Sequence, residues 1–170
     1  MPLAAVVTTA EIASKFEATG VEYFNTFAGS PVCTAAGLSM LHVLSNENLQ
    51  ENAMNTGAYL VELLHELQSK CELIGDIRGS GLFIGIELVR DNSTLEPAVA
   101  ETSFVCSILK EKYKILTSID GPYDNVIVIK PPMVFSKEDA LLFVSCLEKA
   151  LMEDLLSSKD CLEELGKTPT

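Results

Sequence analysis

The residues best placed to do chemistry lie in one short run, Asn25-Thr26-Phe27-Ala28-Gly29-Ser30-Pro31. Thr26 offers a hydroxyl and a backbone N–H, Gly29 and Ser30 permit a tight turn, and Pro31 suits the first turn of a helix, where its missing N–H is harmless. The first amides of such a helix are free, and with the positive end of its dipole they suit an anion. The same residues would also make a plain N-cap and turn, which is what Ser usually does before a helix. Lys130 closes the apolar run Val126-Ile127-Val128-Ile129 ahead of Pro131-Pro132-Met133, and on local chemistry alone it reads as a solvated strand-end lysine.

Other chemistries find little support. His42 and His65 fall in helical patterns with no Ser or Cys partner at a recognisable spacing, and read as solvent-facing or helix-packing residues. Cys33, Cys71, Cys106, Cys146 and Cys161 are scattered, with no CxxC pair and no His at metal-ligand spacing. They read as small core residues and reduced intracellular thiols, and no metal ligand is assigned. Gly79-Ser80-Gly81 followed by Gly85 does not fit GxGxxG, and a strand rather than a helix follows it, against a dinucleotide site. The formal net charge of -12, without clustered Lys and Arg, argues against nucleic-acid binding. Nor does any run of eighteen apolar residues suggest a membrane span.

Several elements must hold these positions. Ala4–Val7 reads as a short buried strand, and Thr8-Thr9-Ala10-Glu11 as a capping box opening a helix that ends near Gly20. A helix from Pro31 carries Ala35, Ala36 and Gly37 on a face that permits close approach. Ser45-Asn46 then ends it and caps a longer helix to about Lys70, with Leu49, Ala53, Gly57, Leu60, Leu64 and Leu67 in one stripe. Leu73-Ile74 and Leu82–Val89 read as strands flanking a glycine-bearing turn. Pro97 is expected to start a helix to Lys112, Ile115-Leu116 to begin a strand, and Val126–Ile129 to form another. Ser136-Lys137-Glu138-Asp139 resembles a capping box for a last helix, and the acidic tail from Ser157 is expected to fray. The order predicts an α+β fold, with helices on one face of a small, mostly antiparallel sheet.

Two segments, Tyr23-Phe24-Asn25-Thr26-Phe27-Ala28-Gly29-Ser30-Pro31 and Gly75-Asp76-Ile77-Arg78-Gly79-Ser80-Gly81-Leu82-Phe83-Ile84-Gly85-Ile86-Glu87-Leu88, resemble the C-terminal third of the class III aminotransferase family. The resemblance runs from about Pro2 to Leu155. It implies pyridoxal 5'-phosphate as cofactor and a fold-type I enzyme that works as a dimer or higher homo-oligomer. Residues 1–45 would be the edge of the large cofactor-binding domain, 46–156 the C-terminal small domain with its connecting helix, and 157–170 a tail. In the family, the lysine that bonds the cofactor lies just upstream of the stretch matched by Pro2–Val7, so this chain would be a piece that begins after it. Lys15 has no motif to suggest that it substitutes. No catalytic residue is therefore assigned, and the isolated chain is expected to be inactive.

The resemblance also implies roles. Thr26 matches the threonine that contacts the cofactor phosphate of the neighbouring subunit, although Ser30 departs from the usual Asn. Arg78 would be structural, a forked donor holding strand or loop carbonyls. Lys130 stands where many family aminotransferases place an Arg that grips the substrate α-carboxylate, and a point charge cannot reproduce that fork. Together with Glu22–Phe27, Asp120-Gly121-Pro122 and Lys130–Met133, this resembles the phospho-lyase branch, which acts on phosphoethanolamine or phosphohydroxylysine. Substrate binding at Lys130 would thus serve a small phosphorylated amine. A true aminotransferase of the alanine–glyoxylate type and an inert module are the alternatives. The resemblance points to the mitochondrial matrix, with the cytoplasm as alternative.

Overall fold

A computed structural model of the chain describes residues 2–26 and 28–158, and the chain folds as two compact units, residues 1–48 and 49–170.

The first unit holds two helices. Helix α1 (Ala10–Ala18) is capped by Thr9, whose side chain accepts from the Ile12 amide at 3.4 Å. The cap is therefore one residue later than the expected box, and Glu11 pairs instead with Lys15 at 2.8 Å. Thr19 ends the helix by donating its hydroxyl to the Phe16 carbonyl, and Gly20 (φ 68°) turns the chain away. Ala4–Val7 forms no strand: a strand needs a ladder partner, none exists among the described residues of this unit, and Val6 and Val7 are exposed. Helix α2 (Pro31–Asn46) begins at Pro31 as expected. Its Gly37 receives Leu3, so that a Cβ there would fall 2.1 Å from Leu3 Cδ2. Neither helix contains a buried residue.

The second unit is an α+β layer structure. Helix α3 (Leu49–Gln68) leads to strands β1 (Ile74–Ser80), β2 (Phe83–Asp91) and β3 (Glu96–Pro97), then helix α4 (Val99–Glu111). Strands β4 (Ser118–Asp120) and β5 (Val126–Ile129) follow, then α5 (Lys137–Lys149), which runs through a π-helical turn (Ala150–Asp154) into α6 (Leu155–Ser157). All strand pairings are antiparallel, in the order β1-β2-β5-β4 with β3 added to β2. Ile84, Ile86 and Leu88 of β2 and Ile127 of β5 meet Leu60, Leu64 and Leu67 of α3, Val105 and Leu109 of α4, and Phe143, Leu147 and Leu151 of the last helix in one core. Of the stripe expected on α3, Gly57, Leu60, Leu64 and Leu67 are buried, joined by Thr56, while Leu49 and Ala53 are half-buried.

Three expectations shift within this unit. Asp76–Gly79 belongs to β1 rather than to a turn, and the reversal is the two-residue Gly81-Leu82 link between Ser80 and Phe83. Pro97 pairs with Val89 in β3 and α4 starts at Val99, because an edge position tolerates a residue without an N–H. Ile115-Leu116 lies outside the ladder, which begins at Ser118. The capping box of α5 is present as read: Ser136 accepts from the Asp139 amide, and the Asp139 carboxylate accepts from the Ser136 amide. The tail beyond Ser158 lies outside the described residues.

One close approach fixes α3 against the β1–β2 link. A Cβ on Gly57 would fall 2.0 Å from the Gly81 carbonyl oxygen, and Gly81 itself sits at φ 55°. Only glycine lets the helix backbone come this near to the hairpin.

Candidate functional site

Each candidate residue is held by its own unit. In the first, the chain reaches α2 through a turn closed by the Ala28 amide and the Asn25 carbonyl at 3.0 Å, and Gly29 (φ 70°) supplies the left-handed residue. Phe27 lies outside the described residues. Thr26 is exposed and its hydroxyl has no partner among the described residues. Ser30 occupies the N-cap position but its side chain makes no capping bond. Its carbonyl accepts from both the amide and the hydroxyl of Thr34, at 2.9 Å each. Among the described residues the amides of Val32 and Cys33 are without partners, and the first turn carries no acidic side chain.

This geometry disfavours the plain-cap role for Ser30. An exposed hydroxyl, two unpaired amides and a helix start without a carboxylate are donors without an acceptor. A phosphate monoester supplies acceptors of the matching kind. The residues therefore fit, on chemistry, the phosphate of the pyridoxal phosphate that the sequence resemblance implies.

In the second unit, Lys130 immediately follows β5. The pairing of Ile129 with Ile84 places it beside Phe83, and its Nζ lies 5.6 Å from that ring's centroid. Both side chains are exposed, and Lys130 has no carboxylate partner among the described residues. A cation–π contact at an exposed site is worth about 0.5–1 kcal/mol, which orients the ammonium without neutralising it. Buried Asn125 fixes the start of the same strand by donating to the Leu88 carbonyl at 2.9 Å. Beyond Lys130, Asn52 of α3 donates to the carbonyls of Met133 and Phe135, at 2.7 and 3.1 Å. Sequence reasoning gave Asn52 no role. The available signal was Asn52 standing between Leu49 and Ala53 on an otherwise apolar stripe.

Arg78 has other partners than the expected carbonyls. Its Nη1 donates to the carboxylates of Asp76, at 2.7 Å, and Glu87, rather than to carbonyls. Those two hydrogen bonds, Asp76 first, raise its pKa. Asp76 lies on the same face of β1 as Arg78 and is paired with Glu87 of β2, so both acids stand beside the guanidinium. Cys71 and Cys106 show no activation: burial pushes Cys71 upward, and it does the same to Cys106 against the opposing hydrogen bond from Thr117. His42 and His65 are exposed. Among the described residues no group of His, Cys, Asp or Glu could hold a metal ion, and no helix is long and apolar enough to cross a membrane.

Known proteins share both the sequence pattern and the architecture. The profile of the family "aminotransferase class-III" matches residues 1–151. A Drosophila melanogaster protein named alanine–glyoxylate aminotransferase 2-like is 45% identical over 161 residues, covering 92% of this chain and 33% of its own length. Among solved structures, a phospholyase from Arthrobacter in complex with phosphoethanolamine superposes with a TM-score of 0.78 at 36% identity, over 86% of this chain and 34% of that one. An amine transaminase from an uncultivated Pseudomonas species, in its PLP-bound form, gives a TM-score of 0.74 at 31% identity, over 84% of this chain and 33% of that one. The chain thus spans about a third of the length of the relatives it matches.

Proposed function

Because this chain belongs to the class III aminotransferase family, we propose that it is the C-terminal third of a pyridoxal-phosphate enzyme that eliminates phosphate from a small phosphorylated amine. Residues 1–45 would form the edge of the large cofactor-binding domain and 46–156 the small domain. The enzyme would act as a dimer or higher homo-oligomer, with Thr26 reaching the neighbouring subunit's cofactor.

When bound, pyridoxal phosphate withdraws electrons from the carbon that carries the substrate amine. The residues of this chain do the holding. The Thr26 hydroxyl and the free amides at the start of α2 donate to the cofactor phosphate. Lys130 places an ammonium beside the substrate phosphate, which carries a charge of about -1.5 to -2 near neutral pH. An ammonium suits that group as a point charge, whereas the planar α-carboxylate of an amino acid is best met by an arginine fork. The phosphorylated amine and one water would together yield an aldehyde, ammonia and phosphate.

The observation that carries the reading is Lys130, exposed and without a carboxylate partner at the end of β5. The phosphoethanolamine-bound neighbour supports it. A true aminotransferase of the alanine–glyoxylate type is the second reading, favoured by the name of the fly relative. To decide, the complete enzyme is incubated with phosphoethanolamine, with phosphohydroxylysine, and with alanine plus glyoxylate. Release of phosphate and ammonia is expected in the first two. Rapid glycine formation without phosphate release would sink the phospho-lyase reading. The 170-residue chain alone is expected to bind pyridoxal phosphate weakly, since the resemblance implies that the family's cofactor-bonding lysine lies upstream of the stretch matched by Pro2–Val7. Borohydride fixation of the cofactor to one specific lysine of this chain would overturn that.

A further inference from the structure

We infer that Asn52 is a positioning residue for Lys130, tying the segment that carries the substrate-facing ammonium to the rigid helix α3. This rests on the reading of Lys130 as a substrate-binding residue, and goes beyond it by naming what holds that residue in place.

The segment after β5 is short of its own supports. Pro131 and Pro132 have no N–H, so the ladder that fixes Val126–Ile129 cannot continue. Among the described residues only three hydrogen bonds hold residues 131–135. One is the turn from the Phe135 amide to the Pro132 carbonyl at 2.9 Å, and the other two come from Asn52. The Asn52 amide nitrogen has two protons, and each of the two carbonyls takes one. Its oxygen accepts from the hydroxyl of Thr56 at 3.3 Å, which sets the amide's orientation, and Thr56 is itself buried. Further along α3, Leu60 and Leu64 are fully buried in the core. Lys130 is therefore held from two sides: by the β5 ladder through Ile129, and, beyond the two prolines, by α3 through Asn52 and by Phe135, which packs against the core. A rigid proline pair makes the linkage stiff, so that releasing the far end moves the near one.

The test is a double-mutant cycle in the complete enzyme, using Asn52→Ala and Lys130→Met, with phosphoethanolamine as substrate and inorganic phosphate as competing ligand. Asn52→Ala should raise the KM and the phosphate inhibition constant by about three- to tenfold, the loss expected from two neutral hydrogen bonds that act only by placing another group. The kcat should stay within about twofold, because no reacting atom is touched. In the Lys130→Met background the same Asn52 change should have no further effect on KM. A merely structural role would lower the melting temperature and give the same fold-change in both backgrounds, and that additivity would overturn the inference. So would an unchanged KM, or a loss confined to kcat. If Asn52→Ala does not yield folded protein, Asn52→Ser, which keeps one donor, replaces it in the same cycle. Running the cycle also with alanine and glyoxylate separates the two claims. If no variant, wild type included, releases phosphate, the phospho-lyase reading fails. Coupling between Asn52 and Lys130 in the amino-acid KM would then still uphold the positioning role.

Discussion

In residues 49–158 nearly every large apolar side chain of the sheet and of α3 faces another, whereas in residues 2–48 neither helix buries a single residue. The contrast is sharpest between two helices that follow each other in the chain. Helix α3 carries a narrow apolar stripe and buries it to completion at Leu60 and Leu64. Helix α2 is apolar on most sides, yet Leu38, Met40 and Leu41 are all more than half exposed. The second unit has a core that stabilises its own order, while the first owes its helices to local signals: a Thr9 cap, a proline at the first turn, and glycines that end or redirect the chain.

The largest effect should come from breaking the core side of this contrast. Leu64→Ala removes a fully buried side chain and should cost about 2–5 kcal/mol in urea unfolding of the 170-residue chain. Leu41→Ala, at a 61% exposed position, should change the same stability by less than about 0.5 kcal/mol. Equal losses at the two positions would mean that the units unfold as one cooperative body with α2 packed.

Gly57→Ala probes a contact of backbone on backbone. The added methyl would meet the Gly81 carbonyl oxygen, which no rotamer change can relieve, so a destabilisation of about 1–3 kcal/mol is expected. The counterpart in the first unit is Gly37→Ala, where the obstacle is the tip of the flexible Leu3 side chain and the helix gains a better former. Thermal melts should therefore show a clear loss for the first substitution and none for the second.

How much of this was legible in the sequence depends on how far apart the partners are. The stripe on α3 and the Ser136–Asp139 box were readable, because both are short-range patterns, one periodic and one a local hydrogen-bond exchange. Ala4–Val7 misled because four apolar residues carry no period and a strand is defined by a partner that the run itself does not contain. Pro97 misled because its fixed φ serves an edge strand as well as a helix start. Asn52 was out of reach for a different reason: the carbonyls it serves lie 81 and 83 residues away. Thr26 was proposed on local chemistry and on resemblance, Lys130 on resemblance. The structure adds that the Thr26 hydroxyl and the Lys130 ammonium lack hydrogen-bond and ion-pair partners among the described residues.

The first unit's contribution should show in ligand retention rather than in folding. Thr26→Ala in the complete enzyme should weaken pyridoxal phosphate binding by about 1–3 kcal/mol, the scale of a hydrogen bond to a charged group. Equilibrium dialysis measures it directly. Because the side chain is exposed and unpaired among the described residues, the unfolding midpoint of the 170-residue chain should not move. A drop in that midpoint with cofactor affinity intact would assign Thr26 to structure instead.

The smallest expected effect compares two helix caps of the same chemistry. Ser136→Ala removes the hydroxyl that accepts from the Asp139 amide and opens the box on α5, a helix whose Phe143 and Leu147 are buried, and should cost about 1 kcal/mol. Thr9→Ala removes the bond to the Ile12 amide on α1, which buries nothing, and the global transition should not register it. The Ser136 site also carries a pH signature. The Ser136 hydroxyl and then its backbone amide, both donating to Asp139, hold that carboxyl below the usual carboxylate range. A carboxylate whose folded pKa is depressed contributes its stabilisation fully above the unfolded pKa and loses it as the pH falls through the folded one. The difference in stability between wild type and Ser136→Ala should thus be constant near neutrality and shrink on the acid side, beginning around the ordinary pKa of aspartate. Thr9→Ala, with no carboxylate in its cap, should leave the acid limb of the unfolding curve where it is in the wild type. A gap between wild type and Ser136→Ala that persists undiminished into strong acid would show that Asp139 takes no charged part in the cap.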